Sequence, residues 1–220
     1  MKITSLDWVN LDTVLLDLDG TLLDLHFDNY FWMTHVPKRW AEITNGTEEE
    51  CRTYLLKTYE DMRGTLDWYC LDYWSDRLQL DIVALKREVL EKVGLRPDAD
   101  RFLRFLQGQN KEVILVTNGH RDGMDLKLAK TGITGHFDKI VSSHDYRAPK
   151  EQQLFWQRLK EEHAFDNSRA LFLDDNQSVL RSAQIFGIGH LVQILQPDLQ
   201  QPSHEVGDFP AIEHFAEILN

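Results

Sequence analysis

The stretch Thr13-Val14-Leu15-Leu16-Asp17-Leu18-Asp19-Gly20-Thr21 runs from an apolar tetrad straight into two carboxylates one residue apart. A run this short, apolar on both faces and closed by polar residues, reads as a strand buried within a parallel sheet. The two acids straddle its end, and Gly20 permits a sharp exit turn. Four further runs share the pattern: Glu112 to Thr117, Lys139 to Ser142, Ala170 to Asp174 and His190 to Ile194. Helical stripes separate them. Phe102, Phe105 and Leu106 precede the second run, and Met124 and Leu128 follow it with a stop at Gly132. Val179, Ala183 and Phe186 lead to Gly187, which reads as a helix C′ residue. Repeated strand–helix units predict an α/β fold with a parallel sheet and right-handed crossovers.

One segment breaks this rhythm. Residues from about 24 to 97 contain no convincing strand, far more chain than one crossover needs. Trp68, Leu71, Trp74-Ser75 and Leu78 form a helical stripe there, and Thr47 with Glu50 three residues on reads as a capping box. Gly94 and Pro97 mark the return. The segment is expected to be a helical insertion over the C-terminal edge of the sheet. In the tail, Pro197, Pro202 and Pro210 punctuate a loop, and Ile212, Phe215 and Leu219 suggest a closing helix.

Composition narrows the function classes. Thirty-six acids against 24 Lys and Arg give a net charge of −12, which argues against a nucleic-acid partner. Cys51 and Cys70 are too few for a disulfide framework and too isolated in sequence for a zinc site. No apolar run is long enough to cross a bilayer, and the opening MKITSLDWVN lacks a signal-peptide apolar region. The expectation is a soluble, cytoplasmic protein with neither nucleic acid nor membrane as partner.

Ligands of parallel α/β sheets bind beyond the carboxyl ends of the strands. The runs deliver Asp17 with Asp19, Thr117 with Asn118, Ser142 with Ser143, and Asp174 with Asp175 to that edge. Carboxylates converging in a partly dry cleft repel by several kcal/mol, so the cluster calls for a cation. Oxygen donors with no Cys or His cluster favour a hard ion, Mg²⁺ above all. Beside it, Lys150 of Ala148-Pro149-Lys150 can hold a phosphoryl group.

Taken in order, Asp17-Leu18-Asp19-Gly20-Thr21, Thr117-Asn118, Pro149-Lys150 and Asp174-Asp175 resemble the haloacid dehalogenase-like hydrolase superfamily, in its subgroup with a helical cap after the first strand. The resemblance implies a Rossmann-like core from residues 1–21 and 98–220 and a helical cap domain from residues 22–97. It also implies a mechanism. Asp17 attacks phosphorus and forms an aspartyl phosphate. Asp19 protonates the leaving alkoxide and later takes a proton from water. Thr117 and Lys150 bind the phosphoryl oxygens. Mg²⁺ is held by Asp17, the Asp19 carbonyl, Asp174 and Asp175. An acid at position 19 disfavours dehalogenation, which has no alkoxide to protonate.

Two stretches, Leu22 to Trp32 and Leu66 to Trp74, look like the branch of bacterial purine 5′-nucleotidases acting on GMP and IMP. His120 and His144 match that branch. With Thr117, Asn118 and Lys150 they become candidate substrate contacts, and a purine nucleoside monophosphate becomes the implied small-molecule partner. Gly119 stands where that branch has Ala, a small-for-small departure expected to touch no chemistry. Four of the six tryptophans fall in the insertion; most such rings build helix cores, while one or two can stack on a base. Asp28 and Asn29 either face the cleft or cap a helix, and Arg121 and Arg147 divide between loop charges and phosphate partners. Rival readings are a phosphomutase or sugar-phosphate phosphatase of the same superfamily, and a phosphate-ligand binding protein without activity.

Overall fold

In the computed structural model, which describes residues 1–219, β1 (Thr13–Leu16) lies inside a six-stranded parallel sheet. Its companions are β2 (Glu112–Thr117), β3 (Lys139–Ser142), β4 (Ala170–Asp174), β5 (His190–Ile194) and β6 (Ala211–Ile212), in the order β3-β2-β1-β4-β5-β6. Every pairing is parallel. The chain order reverses on either side of β1, and a crevice opens beyond the carboxyl ends of strands at such a switch point. Register decides what meets there. Leu16 pairs with Leu115 on one side and Leu173 on the other, so Asp17 emerges level with Val116 and Asp174. The Asp17 amide donates to the Leu173 carbonyl at 3.1 Å, which fixes its height.

Strand alternation sends side chains into two cores. Val14, Leu16, Leu115 and Leu173 face one; Leu15, Ile114, Val116 and Phe172 face the other. Each fully buried leucine contributes roughly 1.5–3 kcal/mol through apolar burial. The first core is shared with α7 (Ala99–Gly108), α8 (Arg121–Thr131) and the insertion, the second with α9 (Gln153–Glu162) and α10 (Gln177–Phe186). Gly132 and Gly187 end α8 and α10 with φ of 71° and 97°, left-handed values that glycine adopts without strain.

Between β1 and β2 the chain is helical. α1 (His26–Tyr30) passes through a π-helical turn (Phe31–His35) into α2 (Val36–Thr44), followed by α3 (Glu48–Met62), α4 (Leu66–Tyr69), α5 (Leu71–Leu78) and α6 (Ile82–Glu88). Thr47 and Glu50 form the reciprocal capping box that opens α3. The stripe from Trp68 to Leu78 is not one helix: Cys70, at ψ 114°, breaks it into α4 and α5. The two connecting strands run side by side, with the Arg96 amide donating to Leu22 O at 2.9 Å and the Asp24 amide to Gly94 O at 3.0 Å. Buried Arg96 ties the return to the Glu213 carbonyl at 2.8 Å and to that of Gln196.

The tail departs from its expectation. Ile212 lies in β6, and only Phe215–Ile218 forms a single 3₁₀ turn. The parallel edge of β5 offers unpaired backbone groups, and covering them outweighs the weak periodicity of so short a segment. No helix among the described residues is long and apolar enough to cross a membrane.

Candidate active site

A cavity of about 500 Å³ opens between the carboxyl ends of β1, β2 and β4 and the insertion. Asp17, Asp19, Thr117, Lys150, Asp174 and Asp175 all line it. Lys150 is the hub: its buried ammonium donates to Asp17 Oδ1 at 2.5 Å, Asp174 Oδ2 at 2.7 Å and the Val116 carbonyl at 3.2 Å. Burial alone would discharge this lysine, but Asp17 and Asp174 outweigh it and raise its pKa. Its backbone is placed by Asn118, whose Oδ1 accepts from the Lys150 amide at 2.8 Å and whose Nδ2 donates to Glu151 at 3.0 Å. From the insertion, the Tyr69 hydroxyl donates to the other Glu151 oxygen at 2.7 Å.

The acidic cluster carries an unmet demand. Asp17, Asp174 and Asp175 each bring an oxygen within 4.8 Å of the others. Burial raises the Asp17 carboxyl to about 6, with Asp174 adding to the rise and Lys150 opposing it. Asp175 is pushed well above the usual carboxylate range, first by burial and then by Asp174 and Asp17. Asp17 Oδ2 is buried and has no hydrogen-bond partner among the described residues. Buried acceptors of this kind are rare because each forfeits its hydration without return. Three carboxylates against one ammonium, with one buried oxygen left without a partner, fit a hard divalent cation of the Mg²⁺ type.

Asp19 stands apart from that cluster. Its carboxyl, 22 % exposed, accepts from Lys127 Nζ at 2.7 Å. Burial lifts its pKa to about 6, aided by Asp28 and Asp17 and opposed by Lys127. Lys127 donates equally to Asp28 Oδ2 at 2.6 Å, and Lys86 of α6 reaches Asp28 Oδ1 at 3.1 Å. Although burial works against it, Asp28 is brought down to about 2 by these two lysines. Neither lysine is among the sequence candidates, yet a signal exists. Lys127 sits on the buried stripe of α8 between Met124 and Leu128, and Lys86 lies next to Leu85 on that of α6. A lysine on an apolar stripe needs a buried acid.

Thr117 Oγ accepts from the Gly119 amide at 2.9 Å, which leaves its hydroxyl proton free to donate. Gly119 is closer to the chemistry than its size suggested. A Cβ there would stand 3.2 Å from Thr117 Oγ and 3.6 Å from Asp19 Oδ2, in the gap between two site residues. The other candidates divide. His120, Asp28 and Asn29 line the cavity, and Asn29 donates to Asp198 at 2.8 Å. His144 does not line it; its ring packs edge-on against that of His120 at 4.9 Å. Arg121 is paired with Asp145 at 2.5 Å, and neither Arg121 nor Arg147 lines the cavity. On the insertion side the walls are aromatic, with Trp32, Tyr59, Trp68 and Trp74, and Glu60 and Arg63 add charge.

The model of the haloacid dehalogenase-like hydrolase family matches residues 11–187. The chain is 39% identical over 212 residues to the GMP/IMP nucleotidase YrfG of Escherichia coli (strain K12), covering 96% of both chains. It is 23% identical over 221 residues to the (S)-2-haloacid dehalogenase of Pseudomonas sp. (strain YL), covering 93% of this chain and 94% of that one. Among solved structures, the HAD phosphatase from Thermococcus onnurineus superposes with a TM-score of 0.77 at 22% identity, over 95% of this chain and 94% of that one, a likeness of fold.

Proposed function

The chain belongs to the haloacid dehalogenase-like hydrolase family, and from that premise we propose that it is a Mg²⁺-dependent phosphomonoesterase acting on purine nucleoside monophosphates. One observation carries the phosphatase reading. The Asp17 carboxylate is pinned by Lys150 through one oxygen and keeps the other free, in a cavity that also holds the Lys127-backed Asp19. A nucleophile and a separate acid–base group on one substrate pocket are what transfer from an alkoxide requires.

The free Asp17 oxygen attacks phosphorus and the ester P–O bond breaks. The departing alkoxide takes the proton of the Asp19 carboxyl, whose pKa near 6 suits both giving and regaining it. Asp19 then takes a proton from water, which attacks the phosphorus of the aspartyl phosphate and releases inorganic phosphate with Asp17 restored. The Thr117 hydroxyl and the Lys150 charge lie beside Asp17 and stabilise the equatorial oxygens of the transferring group. Asp17, the Asp19 carbonyl, Asp174 and Asp175 would hold Mg²⁺, which supplies charge neutralisation for an anion approaching an anion.

Residues 22–97 serve as a cap in this reading, hinged on the paired connections at Leu22–Asp24 and Gly94–Arg96. The base is received among Trp32, Tyr59 and Trp68, and a cavity of about 500 Å³ falls in the range usual for small-molecule sites. The nucleotide preference is supported by the 39% identity to a GMP/IMP nucleotidase together with these aromatic walls. The test is phosphate release from a panel of phosphate monoesters with Mg²⁺ present. Purine nucleoside monophosphates are expected to give the highest kcat/KM, and sugar phosphates exceeding them by orders of magnitude would overturn the substrate assignment.

A further inference from the structure

Cys70, Asp72 and His120 meet where the helical insertion faces the loop after β2. A sulfur, a carboxylate oxygen and an imidazole nitrogen, one from each residue, lie within 4.8 Å of one another. His120 is fifty positions from Cys70 in sequence, so only the fold brings this group together. His120 Nε2 and Asp72 Oδ2 stand 3.5 Å apart. Two ligands of one tetrahedral zinc, each at about 2.0–2.2 Å from the metal, take up roughly that separation.

The surroundings suit a cation. Cys70 is a free, partly buried thiol, while Asp72 is 77 % exposed and open to solvent. His120 Nδ1 accepts from the Asp122 amide at 3.4 Å with Asp122 Oδ2 at 3.8 Å, so metal binding at Nε2 would move the ring proton to Nδ1 and turn it toward that carboxylate. Beside the group, His144 Nε2 is buried without a hydrogen-bond partner among the described residues. Thiol, imidazole and carboxylate donors together match zinc-class ions and are poorly suited to Mg²⁺. This separates the group chemically from the all-oxygen cluster of Asp17, Asp174 and Asp175.

We propose that Cys70, Asp72 and His120 form a second metal site, binding a zinc-class transition-metal ion that bridges the insertion to the core at the rim of the cavity. On binding, the Cys70 S–H proton passes to solvent and the thiolate, the Asp72 carboxylate and the His120 Nε2 lone pair form the three protein bonds, with water in the fourth position.

The test uses the full chain with Co²⁺ as a coloured substitute for Zn²⁺ and excess Mg²⁺ occupying the acidic cluster. A thiolate-to-cobalt charge-transfer band is expected, abolished by added Zn²⁺. The band should persist in Cys51→Ser and vanish in Cys70→Ser, a variant that should fold normally. Cys70 occupies the N-cap of α5 without a side-chain cap bond, and serine is favoured at such a position. Asp72→Asn and His120→Gln should each weaken Co²⁺ affinity at least tenfold. No band in the wild type, a band that survives Cys70→Ser, or affinity unmoved by both other variants would overturn the site. The readout is binding, so its failure leaves the phosphatase reading standing, and inactivity toward phosphate esters leaves the metal site standing.

Discussion

The Lys127 ammonium joins Asp19 Oδ1 at 2.7 Å to Asp28 Oδ2 at 2.6 Å, and Lys86 closes the far side of Asp28 at 3.1 Å. Acid, base, acid and base alternate in a row that starts after β1, passes through α8 and ends on α6 of the insertion. Lys127 is 6 % exposed, so its charge is tolerable only because two carboxylates flank it. Lys86 is held further by the faces of Phe31 at 4.4 Å and Phe27 at 4.9 Å. The row holds the Asp19 carboxyl through Oδ1, which in the proposed mechanism leaves its other oxygen to act as acid and base.

Lys127→Met alone should destabilise the protein, by less than the roughly 3–5 kcal/mol of a fully buried pair, because it takes the ammonium from partly buried Asp19 and leaves Asp28 with Lys86 alone. The double variant Lys127→Met/Asp28→Asn removes one charge of each sign and leaves Lys86 against the faces of Phe27 and Phe31. Its kcat/KM should fall about 100-fold for a nucleoside monophosphate, whose alkoxide needs a proton, and far less for p-nitrophenyl phosphate. Equal losses on both substrates would show that Lys127 does not act through Asp19.

Asp17→Asn should reduce turnover by about 1000-fold or more while the far-ultraviolet dichroism stays unchanged, since the proposed nucleophile is lost and a near-isosteric amide remains. Activity should also disappear with EDTA and return with Mg²⁺. In thermal melts, Mg²⁺ at a hundred times its Kd should add about 2.7 kcal/mol to the wild type. That gain should shrink sharply in Asp175→Asn.

Among the cavity aromatics, Trp74 is 1 % exposed and spans the core of the insertion, whereas Trp68 is only partly buried. Trp68→Ala should therefore raise KM for purine nucleotides about tenfold through lost stacking and leave KM for glycerol phosphate nearly unchanged. A parallel rise for both esters would assign Trp68 to packing instead.

His144 supplies a pH dependence of stability in the absence of added metal. Burial, with His120 adding to it, lowers its pKa to about 4 from the ordinary 6.5. Between those values the unfolded chain binds a proton that the folded chain refuses, so stability falls as pH drops from about 6.5 to about 4. Urea unfolding at pH 7 and pH 5 should show a smaller loss in His144→Asn than in the wild type.

Five strands were legible because β1 to β5 are short, mostly apolar runs, and β1 to β4 carry a polar residue at or just past their ends. β6 was not, since two residues carry no period and its pairing depends on the exposed edge of β5. Asp17, Asp19, Thr117, Lys150, Asp174 and Asp175 could be picked out before any coordinates, as polar residues at or just beyond strand and motif ends, and all of them line one cavity.

What the amino-acid order determined alone was local: which runs become strands, where helices start and stop, and which carboxylates stand at strand tips. These follow from periodicity, capping and turn chemistry within a few residues. Tertiary structure decided which side chains became partners. Lys127 meets Asp19 across 108 positions and Cys70 meets His120 across fifty. Such pairings depend on helix orientation and packing around buried charge, and the energy that selects them comes from desolvation, which no local stretch of chain records.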